Sequence, residues 1–209
     1  MSLDRLDVEH MKRRERLLPA RVALLVIDIQ ERLVPAMPPE IAAQVIKNAQ
    51  LLINAMVQLG APIVVSQQYP KGLGSTVAPI AEALAAAEAA GASVSRFDKV
   101  TFSAAGHEGF YSFPATSLDG GFMHREQWLV AGMETHVCVY QTVRDMMLTA
   151  SSVHVVSDAV CSRTKANFKV GIDLVRGVGA NVTSTEVAVF DLLERAGTDV
   201  FKALARTIK

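Results

Sequence analysis

"RVALLVIDIQ" (residues 21–30) is the stretch on which the fold turns. An unbroken apolar run of strand length, closed by an acid and showing no alternation, is the pattern of a parallel strand buried on both faces. Similar runs return in "APIVVSQQ" (61–68), "GASVSRFDK" (91–99), "QWLVAGM" (127–133) and "SSVHVVSDA" (151–159), with a weaker sixth in "GANVTST" (179–185). Helical patterning fills the intervals 39–59, 77–90, 135–150, 165–178 and 185–195, and Gly60, Gly91 and Gly179 stand where helix C-caps would sit. A short helix and a turn are expected within 106–125. Strands alternating with helices predict right-handed crossovers and helices on both faces of a parallel sheet, a three-layer α/β/α Rossmann-like sandwich. The expected organisation is an N-terminal arm over 1–20 and one domain over 21–209.

Composition narrows the function classes. Half of the 209 residues are hydrophobic, enough for one sizeable core, and 21 basic residues balance 21 acidic ones. That balance points away from nucleic acid or an anionic membrane as main partner and toward a small molecule, with homo-oligomer formation also expected. Cys138 and Cys161 lack CxxC spacing, which argues against a disulfide framework or a cysteine metal site and fits a reducing, cytoplasmic setting. The segment "MSLDRLDVEHMKRRERLLPA" (1–20) mixes acids among its bases and lacks an apolar h-region, so it reads as a soluble arm and not as a targeting peptide. The first strand runs into "DIQERLVPA" (28–36) with no GxGxxG loop, which disfavours a nucleotide-binding module.

In open parallel sheets ligands bind beyond the carboxyl ends of the strands, near the reversal of strand order. Those ends carry Asp28 and Gln30, then Gln67, Gln68 and Tyr69, then Asp98 and Lys99, then Met133 to Cys138, and finally Asp158. If the order is 3-2-1-4-5-6, the reversal brings Asp28 beside "GMETHVCV" (132–139). Thr135 suits an N-cap, which puts Cys138 in the first helical turn, where the positive end of the helix dipole lowers a thiol pKa. His136 stands two residues away and points to nearly the opposite side, so it is a poor base for Cys138 and suits a pocket rim or an oligomer contact. Ordinary readings stand beside these: a packed core thiol, a turn-capping aspartate, a solvated lysine. Together, an acid, a lysine and a first-turn cysteine form a constellation in which lysine stabilises thiolate and carboxylate moves protons.

On "LLVIDIQ" with Asp28, "FDKVTFSA" with Lys99 and "AGMETHVCV" with Cys138, the chain from residue 21 onward resembles the isochorismatase-like cysteine hydrolases. "QQYPKGLGST" (67–76) and "STEVAVFDLL" (184–193) are similar to the isochorismatase-domain-containing branch. The resemblance implies an Asp28-Lys99-Cys138 triad, the sheet order 3-2-1-4-5-6, and a cis peptide at Met133–Glu134 that aims the N–H groups of Glu134 and Cys138 at an oxyanion. Isochorismatases proper generally lack the nucleophilic cysteine, so Cys138 argues for amide or ureide hydrolysis. Nicotinamidases build a metal site from an Asp-x-His pair and a further His, whereas "SQQYPKGLGSTVAP" (66–79) holds no histidine and His10, His107, His124, His136 and His154 lack that spacing. The expectation is therefore hydrolysis of a small amide, ureide or related acyl compound through a Cys138 thioester, with no metal and no cofactor. Gln30, Tyr69, Phe102, Met133 and His136 are the expected pocket walls, and Cys161 is expected to be structural. The alternative is a catalytically silent or redox-responsive scaffold of the same fold.

Overall fold

The computed structural model describes residues 16–110, 113, 125–149 and 152–208. Its six strands are β1 (Val22–Ile27), β2 (Ile63–Gln68), β3 (Val94–Lys99), β4 (Gln127–Met133), β5 (Ser152–Cys161) and β6 (Asn181–Thr183). They form one parallel sheet in the order β3-β2-β1-β4-β5-β6, as expected. The helices are α1 (Pro39–Leu59), α2 (Pro70–Leu73), α3 (Ala78–Ala89), α4 (Tyr140–Met146), α5 (Lys165–Gly177), α6 (Thr185–Leu193) and α7 (Asp199–Ala205), with a π-helical turn at Thr135–Val139 ahead of α4. Most of the stretch 106–125 lies outside the described residues.

Side chains alternate across a strand, so each strand feeds two cores. Val22, Leu24 and Val26 of β1, with Leu129, Ala131 and Met133 of β4, pack under α1, α3, α6 and α7. Ala23, Leu25 and Ile27, with Trp128 and Val130, pack under α4, α5 and the aromatic residues Phe97 and Phe110. All six residues of β1 are buried because the strand is central and covered on both sides. At the edge, β3 buries Phe97 and Lys99 while Arg96 and Asp98 face solvent. Gly60 ends α1 in the left-handed region (φ 65°), and its N–H returns to the Met56 and Val57 carbonyls. Residues 16–20 are tied to this body: Leu17 is buried, its N–H donates to Asp191 Oδ2 at 2.8 Å, and the Leu18 N–H donates to Gln127 Oε1 at 2.8 Å.

Candidate active site

Strand alternation would send Asp28 to the same face as Val26, but Asp28 adopts φ 52° at the end of β1 and its carboxylate meets Lys99 instead. Lys99 Nζ lies 2.7 Å from Asp28 Oδ2, and both side chains are fully buried. Ionised groups tolerate such burial only when paired and hydrogen-bonded. The other Asp28 oxygen accepts from Ser66 Oγ at 2.7 Å. Lys99 also donates to Gln68 Oε1 at 2.7 Å and to the Phe102 carbonyl at 3.1 Å, with the Thr101 carbonyl at 3.4 Å. The ammonium is thus held from several sides.

Gly132 brings β4 against the end of β1. Its φ is 128°, and a Cβ there would sit 2.0 Å from the Ile27 carbonyl oxygen, so only glycine permits the approach. The Met133–Glu134 peptide bond is cis. The chain then enters the π turn that carries Cys138, near enough to Asp28 and Lys99 for both to act on its thiol. Cys138 is 6% exposed.

Two expectations are corrected here. Thr135 does not cap the helix: Glu134 holds the cap position, Thr135 is the first residue of the π turn, and its buried hydroxyl has no hydrogen-bond partner. The Cys138 thiol is not depressed either. Burial pushes it up to about 12, the Asp28 carboxylate adds to the rise, and Lys99 offsets only part of it. Burial and the neighbouring Asp28 carboxylate favour the neutral thiol over the thiolate.

The expected pocket residues separate. Tyr69 (φ 39°) and Phe102 are each about half exposed and close to Lys99: the Tyr69 N–H donates to the Lys99 carbonyl at 2.8 Å, and the Phe102 carbonyl accepts from Lys99 Nζ. Gln30 and Met133 do not line an opening. Both are fully buried; Gln30 spends its amide on the Gln68 backbone and the Gly74 carbonyl, and Met133 packs in the core across the sheet from Cys138. His136 Nδ1 lies 3.0 Å from Ser162 Oγ. Cys161 is buried and its thiol is pushed up to about 12 by burial, with a further rise from Glu134.

Ser66 and Arg163 were not singled out by the sequence, and Gln68 was named only as a strand-end residue. Arg163 grips the Glu134 carboxylate: Nη2 lies 2.6 Å from Oε1, and Nε and the backbone N–H lie 3.0 and 2.9 Å from Oε2. Burial resists the charge on Glu134, but these bonds and the Arg163 charge hold its carboxyl below the usual range. A cleft of about 790 Å³ opens between α1, the end of β5 and α5, with Ile41, Cys161, Lys165 and Phe168 among its walls. It does not include Asp28, Lys99 or Cys138. Among the described residues no group of three His, Cys, Asp or Glu side chains is placed to hold a metal ion.

A doubly wound parallel sheet with a buried Asp–Lys pair and a buried cysteine at its switch point is consistent with a metal-independent cysteine hydrolase. The isochorismatase domain matches residues 22–187, and the chain belongs to the isochorismatase-like cysteine hydrolase family. It is 37% identical over 201 residues to the secreted isochorismatase effector Isc1 of Phytophthora sojae, covering 95% of this chain and 89% of that protein. It is 31% identical to isochorismatase domain-containing protein 1 of Salmo salar over 92% of this chain, which spans 62% of that protein's length. Among solved structures, the MAR1 ribonuclease from Caenorhabditis elegans superimposes with a TM-score of 0.79 at 29% identity, over 92% of both chains. Among the described residues no helix is long and apolar enough to cross a membrane.

Proposed function

We propose that this protein hydrolyses the C–N bond of a small amide, ureide or related acyl compound through a thioester on Cys138, without a metal. The observation that carries the proposal is the fully buried Asp28–Lys99 ion pair set against the Cys138 thiol. Because the resting sulfur is neutral, proton removal accompanies attack. Asp28 takes the thiol proton as the Sγ–C bond forms, and Lys99 holds the Asp28 carboxylate in place while favouring developing negative charge on sulfur. The backbone N–H groups of Glu134 and Cys138 would hold the oxyanion. Collapse breaks the C–N bond, and Asp28 returns its proton to the departing amine. Water then adds to the thioester, giving a proton to Asp28, and the acid leaves as the thiol re-forms.

Tyr69 and Phe102, exposed beside Lys99, are the side chains available to meet the substrate, with His136 farther along the turn. The two free thiols suit a reducing compartment such as the cytoplasm. The half-exposed apolar residues Val170, Val187 and Phe190 suit contact with further copies of the chain. A ribonuclease among the structural relatives adds RNA as a substrate class to be tested; the net charge of zero gives no general basic surface for it, so small acyl compounds are favoured. Primary amides, ureides and a short RNA should be offered in parallel. The proposal expects turnover in the first two groups, an acyl adduct on Cys138 by mass spectrometry, and loss of both in Cys138→Ala and Lys99→Ala. Native rates in either variant would overturn it, and an unacylated Cys138 would favour the silent-scaffold reading.

A further inference from the structure

The Glu134 side chain is 5% exposed, and among the described residues Arg163 supplies the hydrogen bonds to its carboxylate. Arg163 closes a planar fork on both oxygens and adds its backbone N–H, a geometry that fixes direction as well as distance. The guanidinium side of the pair is 57% exposed, so solvent and salt weaken what it gives the core. What the grip does secure is the orientation of Glu134, whose side chain and amide N–H leave the same Cα. The neighbouring residue repeats the arrangement, since Ser162 Oγ meets His136 Nδ1 at 3.0 Å. Consecutive residues of the β5–α5 connection therefore clamp the residues on either side of Thr135.

We propose that Arg163 is a positioning residue for acyl transfer: by holding the Glu134 carboxylate it sets the Glu134 N–H that receives the oxyanion. The inference rests on the thioester reading above. It separates two reactions of one sulfur. Acylation passes through an oxyanion and needs the N–H groups; alkylation by iodoacetamide displaces iodide at a tetrahedral carbon and makes no oxyanion.

The test uses p-nitrophenyl acetate as acyl probe and iodoacetamide at pH 9 as alkylating probe. In acylation the Sγ–C bond forms, Asp28 receives the thiol proton, and p-nitrophenolate leaves with the electron pair of the broken C–O bond. Arg163→Met should lower the burst rate about 10- to 100-fold, less than the loss from deleting an oxyanion donor outright. The fall should appear in the maximal rate with the half-saturating concentration little changed, and alkylation should stay within about twofold of the native rate. Arg163→Lys, which keeps the charge but not the fork, should recover part of the burst. Native acylation in Arg163→Met would overturn the inference, as would an equal fall in acylation and alkylation with an unchanged melting temperature. Failure of the native protein to acylate at Cys138, read by peptide mass mapping against Cys138→Ala, would overturn the thioester reading itself and the inference with it.

Discussion

The Lys99 side chain is fully buried 2.7 Å from an equally buried Asp28 carboxylate, and each depends on the other for a partner. Removing one member of a buried pair strands the other, at a cost of about 3–5 kcal/mol, whereas replacing both with apolar residues of similar volume is often far less damaging. Lys99→Met should therefore lose about that much in urea unfolding, and Asp28→Leu/Lys99→Met should lose less than Lys99→Met alone. A single variant as stable as the native chain would show that the pair is not ionised. The thiol offers a second check at this scale. With Cys138 pushed up to about 12, the thiolate fraction at pH 7 is on the order of 10⁻⁵, so iodoacetamide labelling should climb through the alkaline range without a plateau near neutrality. A plateau below pH 8 would mean that Lys99 outweighs burial. The sequence marked Asp28 and Lys99 because each stands at a strand end and Cys138 because it falls in the turn that follows one, and the structure brings Asp28 and Lys99 together as a buried pair. Gln30 and Met133 are fully buried where pocket walls were expected, because a strand-end position does not reveal which face a side chain takes. Ser66 and Arg163 carried no sequence signal, since a serine within a strand and an arginine in a loop are common, and Gln68 was marked only by its place at a strand end.

Between residue and fold stands the π turn at Thr135–Val139, which helical patterning over 135–150 does not distinguish from an ordinary first turn. Its position depends on α5. A Cβ at Gly171 would lie 2.8 Å from the His136 nitrogen and the Thr135 carbonyl carbon, so the helix packs directly on the turn's backbone. Gly171→Ala sets two effects against each other. Alanine is favoured within a helix by about 1 kcal/mol, while forcing a methyl into a packed backbone contact costs about 1–3 kcal/mol. Because the obstacle is backbone and cannot rotate aside, the clash should win. The variant should melt below the native protein, and displacement of the turn should slow Cys138 acylation by p-nitrophenyl acetate. A variant that melts higher and acylates normally would show that α5 retreats without moving the turn. By the same reasoning Gly132→Ala, which would meet the Ile27 carbonyl and sit at a positive φ, should be the more damaging of the two in both measurements.

At the scale of the molecule the layer order was legible because six apolar runs alternate with helical intervals, and central strands buried on both faces cannot disguise themselves as amphipathic surface. The edges were less legible: β6 spans only Asn181–Thr183, and α7 was not singled out because it is short. Burial also sets limits on pH that belong to the whole domain. His154 is buried at 6% exposure, with Ser152 Oγ at 2.7 Å from its Nε2, and the Asn181 amide donates to the same Ser152 Oγ at 3.2 Å. Burial lowers its pKa, and the Asp191 charge offsets only part of that. A base depressed in the folded state contributes stability that is present above its unfolded value of about 6.5 and is lost as pH falls through the folded value. The two thiols act in the opposite sense. Pushed up to about 12 from an unfolded value of about 8.5, each contributes stability that is present below pH 8.5 and is lost as pH rises toward 12. Melting temperature against pH should therefore form a dome whose acid limb begins near 6.5 and whose alkaline limb begins near 8.5 to 9. His154→Gln should flatten the first limb and Cys161→Ala the second, each at some cost in stability at pH 7.5. If Cys161→Ala leaves the alkaline slope unchanged, the thiol is not buried as neutral SH, and the limb belongs to other groups that titrate there.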